Sequence, residues 1–212
     1  MANAGPTLNL HKLRIEALTD GLFAIVLTLL VLELKVPEMP RAEAALHLNE
    51  QLAHLAPVFI GFIITFFIGG LFWYLHHLSF HFINHVTPRL VIANLVFLGF
   101  VSLLPFSMAL FSRYQGLVTP TVCYFANFLG ISLGLNLHWL IVQREEGLLI
   151  GGRNEDDLLR LTRRIRALLV GSALGLGVAF FYPFAALYSF IAVVVAVRIV
   201  NQRLTPKKPG TS

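Results

Sequence analysis

Two long uncharged stretches constrain the fold of this chain more than any other feature. One runs from Leu90 to Ser112 and the other from Leu117 to Val142, and neither contains Asp, Glu, Lys or Arg. Each exceeds the roughly 20 apolar residues that a helix needs to cross a bilayer. Charged residues make up only 13% of the chain, against roughly 25% in an average soluble domain. The sequence therefore predicts an all-α integral membrane protein.

Six membrane-spanning helices are predicted. The first four cover approximately Leu18–Val36, Ala56–Leu78, Leu90–Phe111 and Thr119–Val142. The uncharged stretch Ala167–Val197 is too long for one ordinary span, and Pro183 interrupts it because proline removes a helix hydrogen bond. We interpret this stretch as a hairpin of two helices. Residues 1–205 are expected to form a single six-helix domain, and residues 206–212 a disordered tail.

The positive charges predict the orientation in the membrane. With both termini in the cytoplasm, every Lys and Arg falls inside except Lys35, Arg41 and Arg113, as the excess of basic residues in cytoplasmic loops requires. This distribution accounts for the net charge of +5 without a nucleic-acid partner, and none is predicted. The expected surroundings are the lipid of the cell membrane. The single cysteine, Cys123, excludes a disulfide framework within the chain and a cysteine-based metal site.

The first span has charged residues at its entrance. Arg14, Glu16 and Asp20 precede its apolar core, although a charge near hydrocarbon costs about 2.5–3.5 kcal/mol at a helix centre. Such residues persist where they face protein or water. Arg14 and Asp20 point to different sides of a helix, so each is expected to find its partners on other helices or subunits.

A regular stripe follows this charged entrance. Gly21, Ile25, Thr28/Leu29 and Leu32 recur at spacings of three and four residues, which places them on one side of a helix. Ordinary helix packing explains an isolated stripe of this kind. Next to a polar cluster, the stripe also fits the wall of a transport path.

Two motifs resemble a known family. Arg14-x-x-x-Leu18-Thr19-Asp20-x-x-x-Ala24 resembles the Arg-x-x-x-Phe-Ser-Asp-x-x-x-Ala signature of the transmembrane protein 175 potassium channels, with Leu18 where the family usually has Phe. The segment Trp73-Tyr-Leu-His-His77 is similar to the tryptophan and histidine segment of that family. The resemblance implies a potassium-permeable cation channel, a homotetramer whose first helices line a central pore. It implies no Thr-Val-Gly-Tyr-Gly filter, no cofactor and no enzymatic activity.

The resemblance also implies roles for individual residues. Ile25 would form a hydrophobic constriction, with further apolar rings at Leu29 and Leu32 and a hydroxyl ring at Thr28, through which K⁺ and other monovalent cations pass. Apolar rings of this kind gate by dewetting. A structural polar network would fix the pore helix, and its members would be Arg14, Thr19, Asp20, Trp73 and His77. We interpret Asp20 as part of this network rather than as an ion ligand.

Three alternatives remain open at this point. His77, His81 and His85 recur every four residues, and such histidines can bind a transition metal, so a divalent-metal transporter is one alternative. Few carboxylates lie near them in sequence, and no metal site is predicted. An intramembrane enzyme needs a facing nucleophile and base, but the spacing of Ser107 and His138 does not suggest one. A membrane scaffold is the third alternative.

Overall fold

The computed structural model describes residues 7–151 and 154–203 of the chain. Every secondary-structure element in these ranges is a helix, apart from one isolated β-bridge between Ile83 and Leu149. The predicted tail, residues 206–212, lies outside the described residues. The elements in chain order are α1 (Thr7–Leu29), a 3₁₀ turn (Leu30–Glu33), α2 (Arg41–His54), α3 (Ala56–Phe80), α4 (Pro88–Ser102), α5 (Leu104–Arg113), α6 (Val118–Arg144), α7 (Glu155–Ala179) and α8 (Pro183–Arg203).

Within the described ranges, five segments are long and apolar enough to cross a membrane. They are Lys12–Glu33, Ala56–Phe80, Pro88–Arg113, Val118–Arg144 and Pro183–Gln202. Helix α7 is not among them, because arginines interrupt the apolar character of its first half. All-helical membrane architecture is therefore confirmed, whereas the count of six spans and the position of the termini stay predictions.

Proline determines two of the helix boundaries. Pro183 is the first residue of α8, and α7 and α8 pack against each other as the predicted hairpin. Pro105 is the second residue of α5 and divides the third span at Leu103. A proline at residue 105 cannot donate a backbone hydrogen bond to the carbonyl one turn earlier, so one continuous helix cannot form there. The sequence places this span correctly but does not anticipate its division.

Polar residues at the helix starts determine where two other helices begin. The Thr87 hydroxyl accepts a hydrogen bond from the backbone N–H of Leu90 at the start of α4. Asn154 caps α7 by accepting from the N–H of Asp156, and α7 also has three acidic residues in its first turn. Side-chain oxygens and negative charge both stabilise a helix N-terminus. These caps lie at the end of the bundle where the start of α1 meets the end of α3. We call this end the basic end.

Helix α6 lies at the centre of the bundle. It packs against α4, α5, α7 and α3 and is the most buried span, whereas α1 and α8 are the least buried. Aromatic side chains fill the core around α6, with Phe72, Tyr124 and Phe128 fully buried. The Tyr124 hydroxyl is satisfied by the Thr65 hydroxyl at 2.7 Å. Because α6 and its aromatic neighbours fill the core of the single chain, the exposed face of α1 becomes the candidate site.

Candidate functional site

Helix α1 has one buried face and one exposed face, and both are apolar. Phe23, Val26 and Leu30 are buried against α3, α4 and α5. The exposed face has Ile25, Leu29 and Leu32, with 61%, 41% and 65% of their surface exposed. All three predicted ring residues therefore lie on the side of α1 that this chain leaves uncovered.

Thr28 and Gly21 lie on the same exposed face. The Thr28 hydroxyl donates to the backbone carbonyls of Ala24 and Ile25, at 2.9 and 2.8 Å. Because the single hydroxyl hydrogen is directed to the helix backbone, the Thr28 oxygen can still act as an acceptor. A Cβ added at Gly21 would meet no other atom within 4 Å, so the space in front of the helix is open at this level too.

Asp20, Trp73 and His77 form one polar cluster between α1 and α3. The Trp73 indole N–H donates to the Asp20 carboxylate, with 2.8 Å between Nε1 and Oδ1. The Trp73 ring stacks on the His77 ring, with 5.6 Å between their centroids, and His77 in turn contacts His81. Hydrogen bonds with a charged partner are among the stronger ones in proteins. This cluster therefore joins α1 to α3.

Thr19 belongs to a second, buried group of hydrogen-bonded side chains. The Asn94 amide nitrogen donates to the Thr19 hydroxyl at 3.1 Å, and the Asn94 amide oxygen lies 2.8 Å from His76 Nε2. Since this oxygen only accepts, the hydrogen resides on Nε2 of His76. The His76 ring also stacks on Phe97. Neither Asn94 nor His76 is among the predicted site residues, although an amide in an uncharged span is itself a sign of interhelical hydrogen bonding.

Arg14 belongs to neither group. Its side chain is exposed, and no carboxylate in the described part of the chain is paired with it. The start of α1 is held instead by Lys12, whose ammonium donates to the Ile83 carbonyl at 2.7 Å. The structure thus brings together three of the five predicted network residues, Asp20, Trp73 and His77. Thr19 lies in the separate hydrogen-bonded group with Asn94, and Arg14 is part of neither group.

The exposed face has an ion pair at its end after α1. Glu33, in the 3₁₀ turn after α1, lies 3.9 Å from Arg113 at the end of α5. The Glu33 side chain is 29% exposed. This arrangement puts a carboxylate beside the end of the apolar stripe, where it is partly neutralised by its partner.

The three predicted histidines do not form one helical stripe. Helix α3 ends at Phe80, so His77 lies on the helix, His81 caps its end and His85 lies in the connection to α4. The i, i+4, i+8 geometry that suggested a metal path is therefore absent. Across the described ranges, no group of three His, Cys, Asp or Glu side chains could hold a metal ion. The divalent-metal transporter receives no support from this arrangement.

A multi-pass helical protein with an exposed, apolar, hydroxyl-bearing first helix has the features of a membrane channel subunit. The family model for the endosomal/lysosomal potassium channel TMEM175 matches residues 14–105. A potassium channel of Chryseobacterium sp. is 27% identical over 91% of this chain and 95% of its own length. A potassium channel of Chamaesiphon minutus is 32% identical over 72% of this chain and 76% of its own.

The fold also matches a solved structure. The crystal structure of a lysosomal potassium-selective channel TMEM175 homologue from Chamaesiphon minutus superposes with a TM-score of 0.74, covering 90% of this chain and 98% of that one at 23% identity. The chain belongs to the TMEM175 family. It is a multi-pass cation channel of the cell membrane and not an enzyme.

Proposed function

We propose that this protein conducts potassium ions passively through a pore enclosed by the first helices of four identical chains. Residues 1–205 would act as one channel unit with six spans, the first half of α7 lying at the basic end and its second half in the membrane. One continuous hydrophobic core includes residues from α1, α3, α4, α5, α6, α7 and α8, which supports a single unit. Named potassium channels among the bacterial relatives support the choice of ion.

The observation that carries the proposal is the exposed apolar face of α1. A single helix cannot surround a pore, and the interior of the single chain is filled by α6 and its aromatic neighbours. Cyclic symmetry would bring equivalent α1 faces together around an axis. In that arrangement the residues at three- and four-residue spacing, including Ile25 and Thr28, would line the path.

Ile25 would form the narrowest ring. An ion passing an apolar ring must shed or compress its hydration shell with no oxygen to replace it, so ring radius and wettability would set the barrier. Thr28 lies three residues further along, about 4.5 Å at the rise of an α-helix, and its hydroxyl oxygen would receive the ion there. Leu29 and Leu32 would form further apolar rings towards the Glu33 end.

The polar cluster would keep α1 in position rather than contact the ion. Asp20 accepts from Trp73 on α3, and Thr19 accepts from Asn94 on α4. Two hydrogen bonds from adjacent residues of α1 to two different helices would restrain the rotation of α1 about its own axis. Rotation would turn Ile25 away from the pore, so this restraint would determine the width of the constriction.

Substitutions at Ile25 test the proposed ion path. In purified channels recorded under asymmetric potassium and sodium, Ile25→Asn should wet the ring, raise conductance and reduce discrimination between K⁺ and Na⁺. Ile25→Phe should narrow the ring and lower the current. Ile92 on α4 is the matched control, because it is also isoleucine and is 63% exposed against 61% for Ile25. If neither Ile25 variant changes conductance or reversal potential while the assembly stays intact, the ion path lies elsewhere.

A further inference from the structure

A cavity separate from the candidate pore face lies between α3, α7 and α8. Its volume is about 360 Å³, within the range of roughly 300–1,000 Å³ that small-molecule sites occupy. Its walls are mainly apolar and include Leu75 of α3, Leu168 of α7 and Val194 of α8. An apolar cavity of this size is suited to a hydrocarbon chain.

Two arginines and a tyrosine supply its polar lining. Arg164 of α7 and Arg198 of α8 both line the cavity, and so does Tyr74 of α3. Across the described ranges neither guanidinium is paired with a carboxylate. Two arginines that line one cavity favour an anion there, because a phosphate can accept hydrogen bonds from both guanidinium groups. The cavity therefore combines an anion site with apolar walls.

The cavity lies towards the basic end of the bundle. Leu71 and Leu75 precede the end of α3 at Phe80 by five to nine residues, which corresponds to about 8–14 Å along an α-helix. The same end of the bundle has the other arginines of α7, namely Arg160, Arg163 and Arg166. Clusters of arginine beside a membrane span attract anionic lipids of the adjacent leaflet.

We propose that this cavity binds one anionic phospholipid, with its phosphate between Arg164 and Arg198 and one acyl chain along the leucine and valine wall. A free phosphate would satisfy the arginines but leave the apolar walls without a partner. A neutral lipid headgroup would leave the two positive charges without a net counter-charge. An anionic phospholipid satisfies both parts of the cavity.

Lipid titration of the full-length assembly in detergent, followed by native mass spectrometry, tests this assignment. Phosphatidylglycerol should bind more tightly than phosphatidylcholine. The double variant Arg164→Gln/Arg198→Gln should weaken phosphatidylglycerol binding by about tenfold or more, as expected for loss of charge-assisted hydrogen bonds. It should weaken phosphatidylcholine binding less, because the choline group already offsets the charge of that lipid's phosphate. The control Arg160→Gln/Arg163→Gln also removes two positive charges, but from residues of α7 that do not line the cavity. It should keep the preference for phosphatidylglycerol over phosphatidylcholine.

A second variant tests the acyl-chain part while retaining both arginines. Val194→Trp should fill the cavity and also weaken phosphatidylglycerol binding. Inorganic phosphate at millimolar concentration should not displace the lipid. Displacement by phosphate, an equal loss in the Arg160/Arg163 control, or unchanged binding in either cavity variant would each overturn the assignment.

Discussion

At the scale of single residues, the hydrogen bond between Trp73 and Asp20 offers the most direct test of the polar network. Trp73→Phe removes the indole N–H but keeps an aromatic ring beside His77. We expect it to lower the free energy of unfolding by about 1 kcal/mol, less than for a buried bond to a charge, because both side chains are exposed in the single chain. Unfolding in detergent measures the loss, and channel recordings should show altered gating.

A double-mutant cycle with Asp20→Ala separates the bond itself from other effects. If the two residues interact, their combined effect should differ from the sum of the single effects by about 0.5–1 kcal/mol. Tyr74→Phe is the control, because it changes the neighbouring residue and its phenol makes no hydrogen bond within the described ranges. Strict additivity of Asp20→Ala and Trp73→Phe would show that the bond does not stabilise the assembly.

Residue chemistry explains which members of the polar network the sequence reveals. Asp20, Trp73 and His77 carry polar groups in apolar helices, and the structure brings these three together. Asn94 escapes notice because a lone amide in an uncharged span does not show which helix it faces. Its contacts with Thr19 and His76 span 75 and 18 residues of sequence, and only the packing of α1, α3 and α4 brings these residues together.

At the scale of helices, the close approach of α4 and α6 depends on Gly134. A Cβ at this position would lie 2.8 Å from the Phe97 Cα, a backbone atom that cannot move without moving α4. Gly134→Ala should therefore destabilise the protein by about 1–3 kcal/mol. The measurement is denaturant or thermal unfolding of the purified protein.

Gly99 on α4 provides the matched comparison for this prediction. A Cβ there would meet nothing within 4 Å, so Gly99→Ala should be neutral or stabilise the helix by up to about 1 kcal/mol, the usual difference in helix propensity between the two residues. Equal effects of the two substitutions would mean that the α4–α6 contact does not require glycine at residue 134.

Helix boundaries show how far the apolar pattern alone can predict structure. The long uncharged stretches predict α6 nearly to the residue, and Pro183 predicts the α7–α8 hairpin. Pro105 divides the third span equally clearly in the structure. It is overlooked because the stretch from Leu90 to Ser112 has the length of one membrane crossing, so its length alone gives no reason to divide it.

At the scale of the whole molecule, the sequence predicts the class of protein and the stripe on α1 but not how copies assemble. Ile25 and Leu32 are among the most exposed apolar residues of the chain. Exposure in one chain is compatible with lipid or with a second copy, because both are apolar surroundings. The number and arrangement of copies is therefore a property that only the assembly can reveal.

A thiol ring at residue 25 tests both the copy number and the position of the axis. Cys123 is the single cysteine of the chain and is exposed, so the background for this experiment is Cys123→Ser. Adding Ile25→Cys to a tetramer with α1 at the axis would place four thiols around the path. Soft metal ions such as Cd²⁺ bind thiolates tightly, so a ring of several thiolates can hold one ion in the path.

Low concentrations of Cd²⁺ should therefore block the current of the Ile25→Cys channel, and a chelator should restore it. Ile92→Cys in the same background, a substitution of an equally exposed isoleucine on α4, should leave the current unchanged. Native mass measurement of the same samples should give particles of four chains of 23.6 kDa each. Particles of only one or two chains would refute the tetramer. Current that Cd²⁺ inhibits equally in both cysteine variants would place the ion path away from the first helices.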